Sequence, residues 1–127
     1  MVDEAWTEDW WSAVSARADR AVQLAQRISE LLVTESGARG AVEVTVAGSG
    51  IVTDLRLSQR AADMRPAALV EAILATMRRA QARLAGRVAE IAADTVGTDS
   101  ETGRAAVASF AERFPEPPDG GGYGAGR

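Results

Sequence analysis

The chain of 127 residues has no cysteine and no histidine. Without cysteine there is no disulfide scaffold, no thiolate nucleophile and no zinc site of the usual kind. Without histidine, the commonest metal ligand and the commonest general base are both missing. Lysine is absent too: all 14 basic residues are arginine, whose planar guanidinium suits phosphate and carboxylate. Only six residues are aromatic, three Trp, two Phe and one Tyr. Alanine supplies much of the apolar content, and alanine-rich helices bury little area each, so a thin core completed by oligomerisation is expected. No apolar run approaches the roughly 20 residues of a membrane span. Met1 leads into an acidic segment with neither a basic n-region nor an apolar h-region, so no signal peptide is expected. These absences point to a soluble cytoplasmic protein that is not an enzyme, carries no cofactor and no metal, and enters no membrane.

What is present is unevenly charged. The net charge is −4. Residues 1–16 hold four acids and no base; residues 17–87 hold 11 Arg against seven acids, net +4; residues 88–127 hold three Arg against seven acids, net −4. A basic centre therefore lies between acidic ends.

The sheet signal is concentrated between Ala41 and Leu57. Val42, Val44 and Val46 alternate with Glu43 and Thr45, the period of a half-buried strand. After Gly48-Ser49-Gly50 the alternation resumes with Ile51, Thr53, Leu55 and Leu57. A two-residue turn at Gly48 and Ser49, with Gly48 at positive φ, would set Val46 against Ile51, Val44 against Thr53 and Val42 against Leu55. It would also set Glu43 against Asp54, an unfavourable like-charge pair. The segment from Val33 to Arg39 is a candidate third strand. A two-stranded hairpin is marginal alone, so its valine face needs a cover.

Long helical patterns flank the hairpin. Trp11, Val14, Ala18, Ala21, Ala25, Ile28 and Leu32 recur at spacings of three and four, which predicts a helix from Glu8 to Leu32 capped by Thr7. Pro66 suits a first helical position and Gly97 a stop. Between them Leu69, Ile73, Met77, Ala80, Leu84, Val88 and Ile91 form one stripe. Gly86 interrupts this helix and suggests a close helix contact. Thr98 to Gly103 reads as a linker, Arg104 to Phe114 as a short amphipathic helix, and Pro115 onward as a disordered Pro/Gly tail. The division expected is a first unit over residues 1–97 and an appended linker, short helix and tail over residues 98–127.

The run GAVEVTVAGSGIVTDLRLS, a short polar stretch and then PAALVEAILATMRRAQARLAGRVAEI resemble the YbaB/EbfC family of nucleoid-associated proteins. The hairpin phrase carries the likeness, with alanine spacings in the helix including Ala72 and Ala80. The resemblance implies an α+β fold of order α-β-β(-β)-α, long terminal helices around a small antiparallel sheet, and an intertwined homodimer with projecting arms. It also implies cytoplasmic, nucleoid-associated DNA binding with little sequence preference. The acidic ends and three Trp make the chain similar to actinobacterial-type variants, some of them tied to type VII secretion.

Two candidate surfaces follow. Arg79, Arg83 and Arg87 are spaced i, i+4, i+8, with Arg78 alongside and no acid before Glu90. Such a ridge can track phosphates, and Arg60 and Arg65 join it as candidate DNA contacts. The plainer reading stands beside it: a solvated face whose Arg stems cover apolar surface or pair with acids of the other helix. Trp6 and Trp10 are the candidate protein-docking residues, against packing at a helix end or across a dimer; Trp11 is assigned to the seam. An alternative function is thus a non-enzymatic protein-interaction module using the Trp-bearing amino end and the acidic tail. Gly48-Ser49-Gly50 lacks the Lys-Ser/Thr of a phosphate loop and reads as a turn.

Overall fold

A computed structural model describes residues 4–117, with side chains described from Thr7 onward. The order is α1 (Glu4–Ser29), β1 (Leu32–Gly37), β2 (Val42–Ala47), β3 (Val52–Leu57), α2 (Pro66–Asp94) and α3 (Glu101–Arg113), with 3-10 turns at Ala38–Gly40 and Gln59–Asp63. The strands form one antiparallel sheet in the order β1-β2-β3. This is the expected α+β arrangement, and the third strand at residues 33–39 exists as β1.

The hairpin register differs from the expected one. Gly50, not Gly48, takes the positive φ, at 92°, and its N–H donates to the Ala47 carbonyl at 2.8 Å. The loop between Ala47 and Ile51 therefore has three residues. An odd loop by itself would turn the leucines of β3 away from the valines of β2. A bulge reverses this: Val46 pairs with Val52, but Thr45 pairs with Asp54, leaving Thr53 as the extra residue. Val44 then faces Leu55, Val42 faces Leu57, and Glu43 faces Arg56 in place of Asp54. The like-charge pair is gone, and Arg56 also donates to Asp54 at 2.7 Å.

One face of the sheet is polar, with the Thr34 and Thr45 hydroxyls 2.8 Å apart. The other meets α2. Pro66 opens that helix after an extended Arg65, and the expected stripe turns inward: Ala80, Leu84, Val88 and Ile91 are buried, while Leu69, Ile73 and Met77 are partly covered. Thr76 is also buried, its hydroxyl satisfied by the Ala72 carbonyl at 2.7 Å. Gly37 permits this approach, since a Cβ there would collide with the Thr76 hydroxyl. Val33, Val42, Val44 and Val46 fill the space beneath α2.

The coverage is partial. The helix lies on β1 and β2, and β3 is exposed along its whole length. Leu55 and Leu57, on the valine side of the sheet, are 44% and 48% exposed. Val70 and Leu74 of α2 are exposed as well.

The first helix starts at Glu4, so Thr7 lies inside it, and it ends at Ser29, three residues before the expected limit. Leu31 is drawn into the core and Leu32 begins the strand, so β pairing of Val33 with Val46 wins over continued helix. Among the described side chains of α1, those that reach the core are at its carboxyl end, Leu24 and Ile28. The expected seam is largely uncovered: Ala18 and Ala25 are exposed, and Trp11 is 59% exposed, not packed.

The expected linker at Thr98–Gly103 is shorter. The Ser100 hydroxyl accepts from the Gly103 N–H at 2.9 Å, with Glu101 in the first turn, so α3 starts at Glu101. It folds back onto α2 and buries Phe110. Of the expected disordered tail, residues 118–127 lie outside the described residues.

Candidate nucleic-acid interface

The period of α2 fixes what its outer side carries. Once Ala80, Leu84, Val88 and Ile91 point inward, Arg79, Arg83 and Arg87 fall in a row along one flank. That flank overlooks β1, the edge strand. Val33, Glu35 and Gly37 share the helix-facing side of β1, because they pair with Val46, Val44 and Val42. The side chain of Glu35 thus emerges at the edge of the sheet directly below the arginine row.

Two arginines meet it. Arg83 Nη1 donates to Glu35 Oε2 at 2.7 Å, and Arg79 Nε lies 4.0 Å from Glu35 Oε1. Arg79 Nη2 also donates to the Ser36 carbonyl at 2.8 Å. Arg87 lies 3.5 Å from Glu90, one helical turn on. The hydrogen bond that Arg83 donates to Glu35, and then the charge of that carboxylate, raise the Arg83 guanidinium above its ordinary pKa. Arg83 therefore stays charged at every physiological pH. These pairs are solvent-accessible, so each stabilises the fold by roughly 0–1 kcal/mol. Their larger effect is on the field: among the described residues, Arg79 and Arg83 are compensated by a strand acid and Arg87 by Glu90 of its own helix.

Glu35, Arg79, Arg83, Gly86, Arg87 and Glu90 line a groove of about 720 Å³. Gly86 opens toward it and has no atom within 4 Å of a built Cβ, so it marks open space and not a helix contact. Glu116 and Pro117 form part of the same wall. Arg78 is exposed, has no acidic partner within 4 Å among the described residues, and borders a second depression with Gln81, Arg113 and Phe114.

Arg60 and Arg65 flank the start of α2 and are exposed, and neither lines the arginine groove. Arg60 instead shares a depression with Arg39 and Asp63. Arg39 sits in a left-handed run, with φ of 51° at Ala38, 56° at Arg39 and 87° at Gly40. Two non-glycine residues in that region are strained by about 1–2 kcal/mol each. On α1, Trp10 is 49% exposed and stacks edge-on against Trp11, with centroids 4.7 Å apart. The side chain of Trp6 lies outside the described residues.

Sequence reasoning missed Glu35 and Arg39. The signal for Glu35 was available: extending the strand through Val33 puts Glu35, two residues on, on the same side as the core valines. Nothing in the residue pattern flags the left-handed turn at Arg39 beyond Gly40.

A small α+β chain that sets an arginine-lined helix over an edge strand presents donors suited to anionic groups. The chain belongs to the YbaB/EbfC DNA-binding family, whose model matches residues 11–98. The match takes in α1 from its eighth residue on, the sheet and all of α2, and stops before α3. The family is one of nucleoid-associated DNA-binding proteins and is not an enzyme family. No curated protein matches the chain. Among the described residues, no helix is long and apolar enough to cross a membrane.

Proposed function

We propose that the protein is a nucleoid-associated homodimer in the cytoplasm that binds DNA with little sequence preference through arginines of α2. The observation that carries this reading is the placement of Arg78, Arg79, Arg83 and Arg87 on the outer side of α2, within the family match. Against Glu35 and Glu90 they leave a local excess of positive charge on each subunit. Arg60 and Arg65 add basic charge apart from the groove, ahead of α2, and Arg39 stands beside Arg60. No helix-turn-helix, zinc finger or aromatic RNA-binding motif offers base reading, so phosphate contact supplies the affinity. Dimerisation supplies the missing cover: the apolar strip of Leu55, Leu57, Val70 and Leu74 asks for an apolar partner, and closure would double the arginine surface. In this reading residues 1–97 form the dimerising and DNA-binding unit, and residues 98–127 are an appendage to it.

The test is anisotropy of a labelled duplex across a salt series. With about four phosphate contacts, affinity should fall by roughly two orders of magnitude between 50 and 200 mM salt. Duplexes of unrelated sequence should bind alike. Replacing Arg79, Arg83 and Arg87 by Ala should weaken binding; equal retention by the triple variant would remove the groove from the account.

A second reading is favoured by the exposed Trp10–Trp11 pair. It makes the chain a protein-interaction module that docks through Trp10, with Trp6 on the same segment. Iodide quenching of tryptophan fluorescence separates it: indoles shielded in the free homodimer would count against docking.

A further inference from the structure

The carboxyl-terminal segment lies beyond the family match, yet its described part is held in place by specific contacts. Phe114 is seated against the β2–β3 turn, where any side chain at Gly50 would strike its ring. The Gly50 carbonyl accepts from Gln81 of α2 at 3.0 Å, fixing the turn to the helix. Arg113 lies over both rings of the Phe110–Phe114 pair, 4.6 and 5.3 Å from their centroids. From this anchor the chain continues as Pro115-Glu116-Pro117. Proline fixes φ and resists collapse, so the segment leaves the anchor as a short semi-rigid strap. Its direction is informative. Glu116 and Pro117 line the groove that holds Arg79, Arg83 and Arg87, and also the depression that holds Arg78.

We infer that this strap is an intramolecular cover of the arginine groove, which holds an acidic side chain where a phosphate would sit and so restrains DNA binding. The inference rests on the DNA-binding reading of α2 for its consequence, but the cover itself is a matter of access. Charge and space act together. Glu116 adds a third acid to the two that already face the row, and Pro117 forms part of the groove wall. A phosphate backbone must displace both before it can reach all four arginines. The segment therefore acts as a competitor held at high effective concentration. Its contacts are few and its acid is exposed, so displacement is within reach of a polyanion.

The experiment compares the full chain, the chain ended after Phe114, and full-length Glu116→Arg, each in duplex titrations at low salt. Ending after Phe114 keeps the anchor, and far-ultraviolet circular dichroism checks the fold. The shortened chain should bind about three- to tenfold tighter, with a steeper salt dependence, and Glu116→Arg should fall between. Changing Arg79, Arg83 and Arg87 to Ala in the shortened chain should abolish the gain. If all forms bind and bind equally, the cover is overturned while the DNA reading stands. If none binds, the DNA reading falls, and phenylglyoxal modification followed by mass spectrometry decides the cover. Faster modification of Arg79, Arg83 and Arg87 in the shortened chain supports it, and equal rates overturn it.

Discussion

Strands β2 and β3 carry nearly the same pattern and meet opposite fates. Val44 and Leu55 are direct cross-strand partners on one side of one sheet, yet Val44 is 1% exposed and Leu55 is 44% exposed. The difference lies in what passes above them. Helix α2 covers β1 and β2 and leaves β3 open. Alternation in a sequence says which way a side chain points; it does not say what arrives to cover it. A leucine row on the valine side of the sheet and left uncovered is the surface that the proposed dimer would close.

The largest effect should come from setting those two partners against each other. Val44→Ala opens a cavity under α2 and should lower unfolding stability by about 2 kcal/mol at every protein concentration, read by urea denaturation. Leu55→Asp should alter the stability of the single subunit far less, while raising the dimer dissociation constant at least about tenfold. Sedimentation velocity over a dilution series reads the second effect. Should Leu55→Asp leave association untouched, β3 is not the dimer surface, and the contrast between the strands reduces to an accident of coverage.

The same division explains how much of the molecule could be read from its residues. The inward stripe of α2, from Leu69 to Ile91, follows from periodicity because burial of one helix face is a local property of spacing. The hairpin was legible as a hairpin, but its register was not. A three-residue loop and a bulge at Thr53 are two parity changes that cancel, and the leucines return to the valine side either way. Every cross-strand pair differs between the two registers, and Glu43 opposite Asp54 was the sign that the simpler one was wrong. Trp11 shows the opposite failure. It lies on the seam of α1, but a seam predicts burial only where a second surface exists, and among the described residues none covers it. The arginine row was legible as a row. Its neutralisation was not, because Glu35 comes from a strand more than 40 positions away.

A comparison within the arginines follows, between those that Glu35 holds and Arg78, which no acid among the described residues holds. Glu35→Gln should release Arg79 and Arg83 and raise DNA affinity about fivefold at low salt. The same change in an Arg79→Ala, Arg83→Ala background should do little, since the partners are gone. Stability should fall by no more than about 1 kcal/mol. The sign with respect to pH follows from Arg83. Its pKa is raised in the folded chain, so its contribution to stability is complete below the ordinary arginine value and is lost only as pH climbs past the raised one. Across pH 6 to 9 the ion pair should therefore be insensitive to Arg83 titration. Weaker DNA binding by Glu35→Gln would mean that the carboxylate orients the guanidinium groups for phosphate and does not compete with it.

The smallest effect concerns Gly86, the one glycine within α2. A glycine inside a long helix destabilises it relative to alanine by about 0.5–1 kcal/mol. Close packing would justify that loss, but no atom lies within 4 Å of where a Cβ would stand, and the position opens on the arginine groove. Gly86→Ala should therefore stabilise the chain by about that amount, seen as a higher urea midpoint at unchanged slope. DNA affinity then separates two roles. If it is unchanged, the glycine is a tolerated weakness of the helix. A drop of several fold would mean that the missing methyl keeps the groove floor open for a phosphate backbone lying between Arg83 and Arg87.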